Sequence, residues 1–167
     1  MAFKVAFSSL LFLLLLITLA AIAASEAQCT YVISVQTGDR KKAGTDSKIS
    51  LYVKDVRGTD FKLNNLEDWG IMGTSHDYFE QGHLDLFKGQ QVCLHPCYIT
   101  VTSDGSGGSP GWYLDYVKIA VNGPTISTTV DFLVNRWLAK DEKPYTLYAT
   151  VDYCHGKLLR MPSAQDS

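Results

Sequence analysis

Three acidic side chains, in two polar stretches of the sequence, could together hold a divalent cation. Asp46 lies in TGDRKKAGTDSK, residues 37–48, and Asp77 and Glu80 lie in the later stretch DYFEQ. Calcium takes roughly six to eight oxygen ligands from carboxylates, backbone carbonyls and water. Gly44, two residues before Asp46, lets a backbone carbonyl turn toward such an ion. These residue types predict a calcium site, and the alternative is a solvated acidic turn.

Catalytic motifs are lacking. Ser75, His76 and Asp77 are the residue types of a catalytic triad, but neighbours in sequence do not normally line up as a proton relay. The sequence has no GxSxG motif, and its histidines do not fall into an HExxH pattern. The stretch DGSGGSPG, residues 104–111, lacks the Gly-Lys-Ser/Thr ending of a phosphate-binding loop. We therefore predict that the protein is not an enzyme.

An apolar stretch, LEDWGIMG, lies within a long irregular segment at residues 64–80. Glycines on both sides leave Trp69, Ile71 and Met72 free to project, which would form an apolar tip for a membrane or a partner. The alternative is a loop that folds back and buries them. We predict contact residues at all three positions.

Arg40, Lys41 and Lys42 form a short basic run in the first polar stretch. Such a run is usually solvated, but beside a calcium site it could meet lipid phosphates. The chain has 15 basic and 17 acidic side chains, a net charge of −2, and so lacks the basic excess of a nucleic-acid-binding protein. We expect a monomer whose partner is a membrane lipid or a protein and not a nucleic acid.

The four cysteines, Cys29, Cys93, Cys97 and Cys154, allow three disulfide pairings. Cys29 precedes the first predicted strand and Cys154 follows the last, so antiparallel pairing of those strands would bring the two together. Cys93 and Cys97 flank Leu-His-Pro, which is typical of a turn. We therefore predict Cys29–Cys154 and Cys93–Cys97. Metal binding by Cys93, Cys97 and His95 is the alternative, although no second ligand pair has zinc-site spacing.

Residues 1–27 have the features of a secretory signal peptide, and a membrane anchor is the alternative. Lys4 supplies the positive charge, an apolar run follows, and Ser25 and Ala27 occupy the −3 and −1 positions of a cleavage site. This predicts the secretory pathway, with the endoplasmic reticulum, the apoplast or the vacuole as the final compartment. The tail, residues 156–167, has no pattern, and we expect it to be disordered.

Many short strands separated by turn signals predict an all-β, antiparallel sandwich over residues 28–155. The region 84–92 is predicted as one or two short strands around a turn at Lys88–Gly89, and only residues 135–140 look helical. The other predicted strands are 31–36, 48–55, 61–63, 98–102, 112–121, 127–134 and 145–153. The side chains expected to face the core are Ile33, Val35, Leu51, Val53, Phe87, Ile99, Val101, Leu114, Val117, Ile119, Phe132 and Leu147.

Four motifs occur in order along this chain: TGDRKKAGTDS, DYFEQGHLDLF, GWYLDYVKI and FLVNRWL. Together they resemble the PLAT domain, which is shared by lipoxygenases, polycystins, pancreatic-type lipases and bacterial alpha-toxin. A single such domain behind a signal peptide is similar to the small plant PLAT proteins that are associated with stress responses. The resemblance covers residues 29–154 and implies an eight-stranded antiparallel β-sandwich.

The resemblance also implies roles for particular residues. It matches Gly44, Thr45 and Asp46 to the family's first calcium loop, and Asp77 and Glu80 to the second. Tyr78 stands where members with strong sites often have a further acid, which predicts weak calcium affinity or an empty site. Trp112 and Trp137 match structural positions, and we expect both in the core.

The function implied is a non-catalytic module that docks on membrane or lipid, with calcium as an aid, and that has a role in plant stress responses. The alternative is a protein–protein adaptor that binds a lipid-acting enzyme or a stress regulator without contacting lipid.

Overall fold

The computed structural model describes residues 27–154, and within that range the chain forms eight antiparallel strands in two four-stranded sheets. The strands are β1 Gln28–Thr37, β2 Ile49–Lys54, β3 Asp60–Leu63, β4 Leu84–Val92, β5 Tyr98–Ser103, β6 Trp112–Gly123, β7 Ile126–Leu138 and β8 Tyr148–Asp152. The first sheet has the order β4-β1-β6-β7 and the second has the order β3-β2-β5-β8. The predicted all-β sandwich is confirmed.

The alternation of apolar and polar residues explains why these strands pair as they do. In β1 the inward residues Tyr31, Ile33 and Val35 are buried, while the residues between them are half-exposed. A one-residue slip would turn every apolar side chain toward water, so burial of one face determines the register. Every residue predicted to face the core is buried except Leu147, which is half-buried.

Two local predictions are wrong. β4 passes straight through Lys88–Gly89 without a turn, and Gly89 pairs with Tyr31. The predicted helix at residues 135–140 is instead the end of β7, where Leu138 pairs with Trp112. The register of β6 and β7 shifts between Leu114 and Tyr116. Asn135, at φ 48°, provides the left-handed residue at this bulge.

The predicted disulfide pairing is also wrong, because the bonds are Cys29–Cys93 and Cys97–Cys154. The prediction assumed that the first and last strands pair with each other, but β1 and β8 belong to different sheets. One neighbour of β1 is β4, whose end pairs with the start of β1, so Cys29 lies beside Cys93. The neighbour of β8 is β5, which places Cys154 beside Cys97.

The two ends of the sandwich differ. Both disulfides and the β2–β3 turn lie at one end, where the Tyr153 amide donates to the Cys97 carbonyl at 2.7 Å. The opposite end carries the β1–β2, β5–β6 and β7–β8 loops and the entry into β4. Within residues 27–154, no helix is long and apolar enough to cross a membrane. The predicted signal peptide and tail lie outside the described residues, apart from the last residue of the former.

Candidate functional site

The loops at the end opposite the disulfides enclose a cleft of about 470 Å³. Four carboxylates and two lysines line it, together with an indole and several glycines. The charged residues are Asp46, Glu80, Asp141, Glu142, Lys41 and Lys42. Acids and bases therefore share one concave surface at this end of the sandwich.

Backbone hydrogen bonds join the β1–β2 loop to the segment that precedes β4 and to the start of β6. The Thr45 amide donates to the Phe79 carbonyl at 3.2 Å, and the Tyr113 amide donates to the Ala43 carbonyl at 3.0 Å. Gly44 lies so close to the segment that precedes β4 that a Cβ added to Gly44 would be 3.2 Å from the Cα of Glu80. Glycine at this position thus permits the close approach that places Asp46 and Glu80 in one cleft.

Asp46 is tied to the β5–β6 loop. Its Oδ2 accepts the Ser109 amide at 2.9 Å, and its own amide donates to the Ser109 carbonyl at 3.3 Å. One Asp46 oxygen therefore already has a protein donor.

A second carboxylate in the β5–β6 loop, Asp104, is held by its neighbours. The hydroxyl and the amide of Ser106 donate to Asp104, and these hydrogen bonds lower the pKa of that carboxyl below its usual value.

The fit of this cleft to a calcium ion is partial. Its carboxylates are the hard oxygen ligands that calcium prefers, and three of the predicted ligand residues, Asp46, Glu80 and Gly44, line it. Asp77 is exposed and outside the cleft lining, and Thr45 is buried with its hydroxyl accepting the Ser47 amide. Among residues 27–154, no group of three or more His, Cys, Asp or Glu side chains is arranged to hold a metal together.

Sequence reasoning missed Asp141 and Glu142, which line the cleft from the β7–β8 loop. These acids carry no local pattern beyond a polar loop. Only the antiparallel order of the strands, which returns the end of β7 to the same end of the sandwich as the start of β4, places them in one cleft with Glu80.

The basic run divides at the cleft rim. Lys41 and Lys42 line the cleft, while the Arg40 guanidinium lies 4.2 Å from the centre of the Tyr113 ring. Tyr113 in turn makes an edge-to-face contact with Trp137 at 5.3 Å between ring centres. Trp137 is half-buried and lines the cleft, so its predicted place in the core is wrong.

Trp112 is in the core, as predicted. Its side chain is fully buried, and its indole N–H donates to the Thr37 hydroxyl at 2.9 Å. Phe79 packs edge-to-face on the same indole at 5.3 Å between ring centres. This contact anchors the residue next to Glu80 in the core.

Trp69 does not project from the apolar stretch, in contrast to the prediction. The indole folds back over β4 at Gly89 and stacks on Phe61 with 6.3 Å between ring centres, so Trp69 does not project. Ile71 and Met72 do project, with 52% and 40% of their surfaces exposed. The apolar tip therefore consists of these two side chains.

The solved structures that resemble this one define the class of fold. The chain resembles a coral 8R-lipoxygenase whose description reads "calcium activation via A C2-like domain", with a TM-score of 0.55 and 25% identity. It resembles a calcium-dependent 11R-lipoxygenase with a TM-score of 0.52. The match covers 74% of this chain but only 16% of the coral lipoxygenase chain. The molecule is therefore a β-sandwich of the kind found as one part of lipoxygenases.

The sequence comparisons then identify the family. The PLAT/LH2 domain family matches residues 31–151. PLAT domain-containing protein 1 of Arabidopsis thaliana is 44% identical over 88% of this chain and 84% of the relative, and PLAT domain-containing protein 2 is 42% identical. The chain belongs to the PLAT/LH2 domain family. Both relatives are named as domain-containing proteins and not as enzymes.

Proposed function

We propose that this protein is a non-catalytic module that docks reversibly on anionic membrane surfaces, aided by calcium. The observation that supports this most directly is the cleft lined by four acidic residues and two lysines. A surface with both signs of charge can hold a cation and an anionic phosphate side by side. The alternative of a protein–protein adaptor remains as an outcome of the test below.

In this proposal the calcium ligands come from Asp46 and Glu80, with Asp141 and Glu142 as the additional acids. A bound calcium ion would offset the negative charge of the cleft and attract phosphate oxygens. Lys41 and Lys42 would contact the same phosphates, since each base near an anionic surface contributes about 1 kcal/mol. We expect weak calcium affinity, because the carboxylates are not gathered into one group.

The apolar tip adds a limited hydrophobic contribution. Fully burying an Ile or Met side chain contributes roughly 1.5–3 kcal/mol. Because Ile71 and Met72 are 52% and 40% exposed, insertion of both would add only about 1.5–3 kcal/mol in total. A dissociation constant of 1 mM corresponds to about −4.1 kcal/mol. The tip alone therefore does not hold the domain on a membrane, and binding should depend on anionic lipid.

The test is co-sedimentation of residues 28–154 with vesicles of phosphatidylcholine, with and without phosphatidylserine, in calcium or in chelator. We expect pelleting that needs both calcium and phosphatidylserine, and that weakens when Ile71 and Met72 are both changed to Ser. Val56→Ser is the matched control, because Val56 is 69% exposed at the opposite end of the sandwich. Absence of pelleting from every vesicle would overturn the proposal and favour the adaptor.

Calcium itself is tested by calorimetry and thermal melting. We expect a rise in Tm at millimolar calcium that Asp46→Ala and Glu80→Gln each reduce. Asp77→Asn should leave the rise unchanged, because Asp77 lies outside the cleft lining. An equal loss in Asp77→Asn would refute the placement of the site.

We further propose that residues 1–27 direct the chain into the secretory pathway and that residues 156–167 are a tail outside the sandwich. Two disulfides agree with an oxidising compartment. The family resemblance extends the proposal to a role in plant stress responses, in the endoplasmic reticulum, the apoplast or the vacuole. Fractionation of cells expressing the tagged full chain tests this, and a cytosolic protein with residues 1–27 intact would contradict it.

A further inference from the structure

Asp85 on β4 is a carboxylic acid in the interior, with 0% of its surface exposed. A buried carboxylate is costly unless hydrogen bonds satisfy its oxygens. Here each oxygen has one donor: Oδ1 lies 2.6 Å from Nε2 of His76, and Oδ2 accepts the amide of Phe79 at 2.7 Å. With Asp85 ionised, the carboxylate only accepts hydrogen bonds, and Nε2 of His76 is then the donor. Neither the cleft nor the apolar tip includes Asp85.

Both partners of Asp85 belong to one segment, residues 71–83, which contains no helix or strand. In one direction the contacts lead to the apolar tip. His76 packs edge-to-face on Tyr78 at 4.6 Å between ring centres, and the Tyr78 hydroxyl accepts the Met72 amide at 3.1 Å. Two contacts therefore connect the Asp85–His76 pair to Met72.

In the other direction the contacts lead to the cleft. The Phe79 amide is held by Asp85, and the Phe79 carbonyl accepts the Thr45 amide, one residue before Asp46. Phe79 has a φ of 64°, which is costly for a residue other than glycine and persists where its surroundings hold it in place. Glu80 follows directly and lines the cleft. Asp85 is thus one of the groups that hold the backbone next to Glu80.

We infer that Asp85, through His76 and Phe79, is a positioning residue that joins the cleft to the apolar tip, so that a change at one is transmitted to the other. This inference rests on the proposed function for its purpose, because it is the route by which an ion in the cleft would alter membrane contact at Met72. Coupling of this kind is reciprocal: membrane contact at the tip would strengthen ion binding in the cleft by the same factor.

The experiment needs neither ion nor lipid, so its failure is distinguishable from failure of the proposed function. The cleft is perturbed with Gly44→Ala, whose Cβ would lie 3.0 Å from the Gln81 amide nitrogen and 3.2 Å from the Glu80 Cα. The tip is read by hydrogen exchange of the Met72 amide, measured by NMR on residues 28–154. We expect Gly44→Ala to change this exchange rate by at least about threefold.

The same perturbation is then made in three backgrounds. In His76→Ala, the effect of Gly44→Ala at Met72 should disappear. In His76→Gln, whose side chain keeps an N–H donor at a similar reach, the effect should return. In Asp77→Asn, the neighbouring exposed acid, the effect should match that of the unmodified chain.

Asp85→Asn is the second disruption. Its side-chain NH2 group would face either His76 or the Phe79 amide, and it cannot accept a hydrogen bond from them. We expect it to uncouple the cleft from Met72 as His76→Ala does. If Asp85→Asn does not fold, the His76 series decides. An equal Gly44→Ala effect in His76→Ala and in the unmodified chain would overturn the inference, and so would no effect of Gly44→Ala at Met72 in the unmodified chain.

When vesicles pellet the unmodified domain, a further readout applies. His76→Ala should abolish the calcium-dependent pelleting, and His76→Gln should restore it. A calcium stimulation that survives in His76→Ala would contradict the inference.

Discussion

The sharpest stability prediction concerns Gly89, which lies beneath the Trp69 indole. A Cβ at residue 89 would lie 2.3 Å from Cε2 and 2.4 Å from Cδ2 of Trp69, whereas ordinary contact begins at 3.4 Å. In Gly89→Ala the indole must therefore retreat by more than about 1 Å, away from its stack on Phe61. The substitution tests whether Gly89 is present because the strand passes under an aromatic ring.

Overpacking of this kind costs about 1–3 kcal/mol of unfolding free energy. A domain of this size loses roughly 3–5 °C of Tm for each kcal/mol, so we expect a decrease of roughly 3–15 °C. In a Trp69→Ala background the ring is gone, and the same Gly89→Ala change should be neutral or stabilising by about 0.5 kcal/mol, because alanine loses less backbone entropy than glycine.

The assay is chemical denaturation of the four members of this double-mutant cycle, which isolates the coupling between the two positions. Gly111→Ala is the matched control, because its Cβ would meet Ala139 at an ordinary 3.4 Å. An equal cost of Gly89→Ala with and without the indole would refute the reasoning. It would indicate that the glycine serves the backbone of β4 rather than the packing of Trp69.

Three further predictions follow from the fold. Cys97→Ser with Cys154→Ser should lower stability by about 4 kcal/mol, from the chain-entropy estimate for a separation of 57 residues, and non-reducing peptide mapping should recover these two cysteines in one linked pair. Tyr31→Phe should cost about 1–3 kcal/mol in denaturation at neutral pH, because the buried Leu94 amide loses its acceptor. Burial raises the pKa of Tyr31 above its usual 10.0, so the folded state keeps the proton longer. Tyr31 should therefore contribute its full stabilisation below pH 10.0, and this contribution should decrease as the pH rises through the pKa of Tyr31 in the folded state. In Tyr31→Phe this part of the decrease should be absent. Asp55→Ala should cost about 1–3 kcal/mol in thermal melts, because its buried carboxylate accepts two amides of the β2–β3 turn at 2.8 and 2.9 Å; an unchanged Tm would contradict this.

Some of the candidate site was predictable from sequence. Gly44, Asp46 and Glu80 were predicted to share a site, and they line one cleft. Their residue types alone indicate the chemistry, because a carboxylate is an oxygen ligand for a cation whatever residues surround it. Asp141 and Glu142 were not predictable, since nothing within the β7–β8 loop indicates which other loop it approaches. Asp77 was predicted in the site but lies outside its lining.

In the apolar stretch and at the buried acid, the tertiary structure decided which residues contact each other. Trp69 looked free because glycine follows it, but a second glycine at residue 89, distant in sequence, admits its ring. His76 stands beside Asp77 in the sequence, yet its hydrogen-bond partner is Asp85, nine residues along the chain. Each of these pairs depends on how residues 64–83 cross the edge of the sandwich.

The sequence by itself determined the class of fold, the strand faces and the family. Alternation with a period of two is a local property, and it predicts which side of each strand is buried without reference to its neighbours. Sheet order is not local. The cysteines show this, because the alternation in β1 and β8 is the same whichever strand lies beside them. Only the assignment of these strands to opposite sheets places Cys29 beside Cys93 and Cys97 beside Cys154.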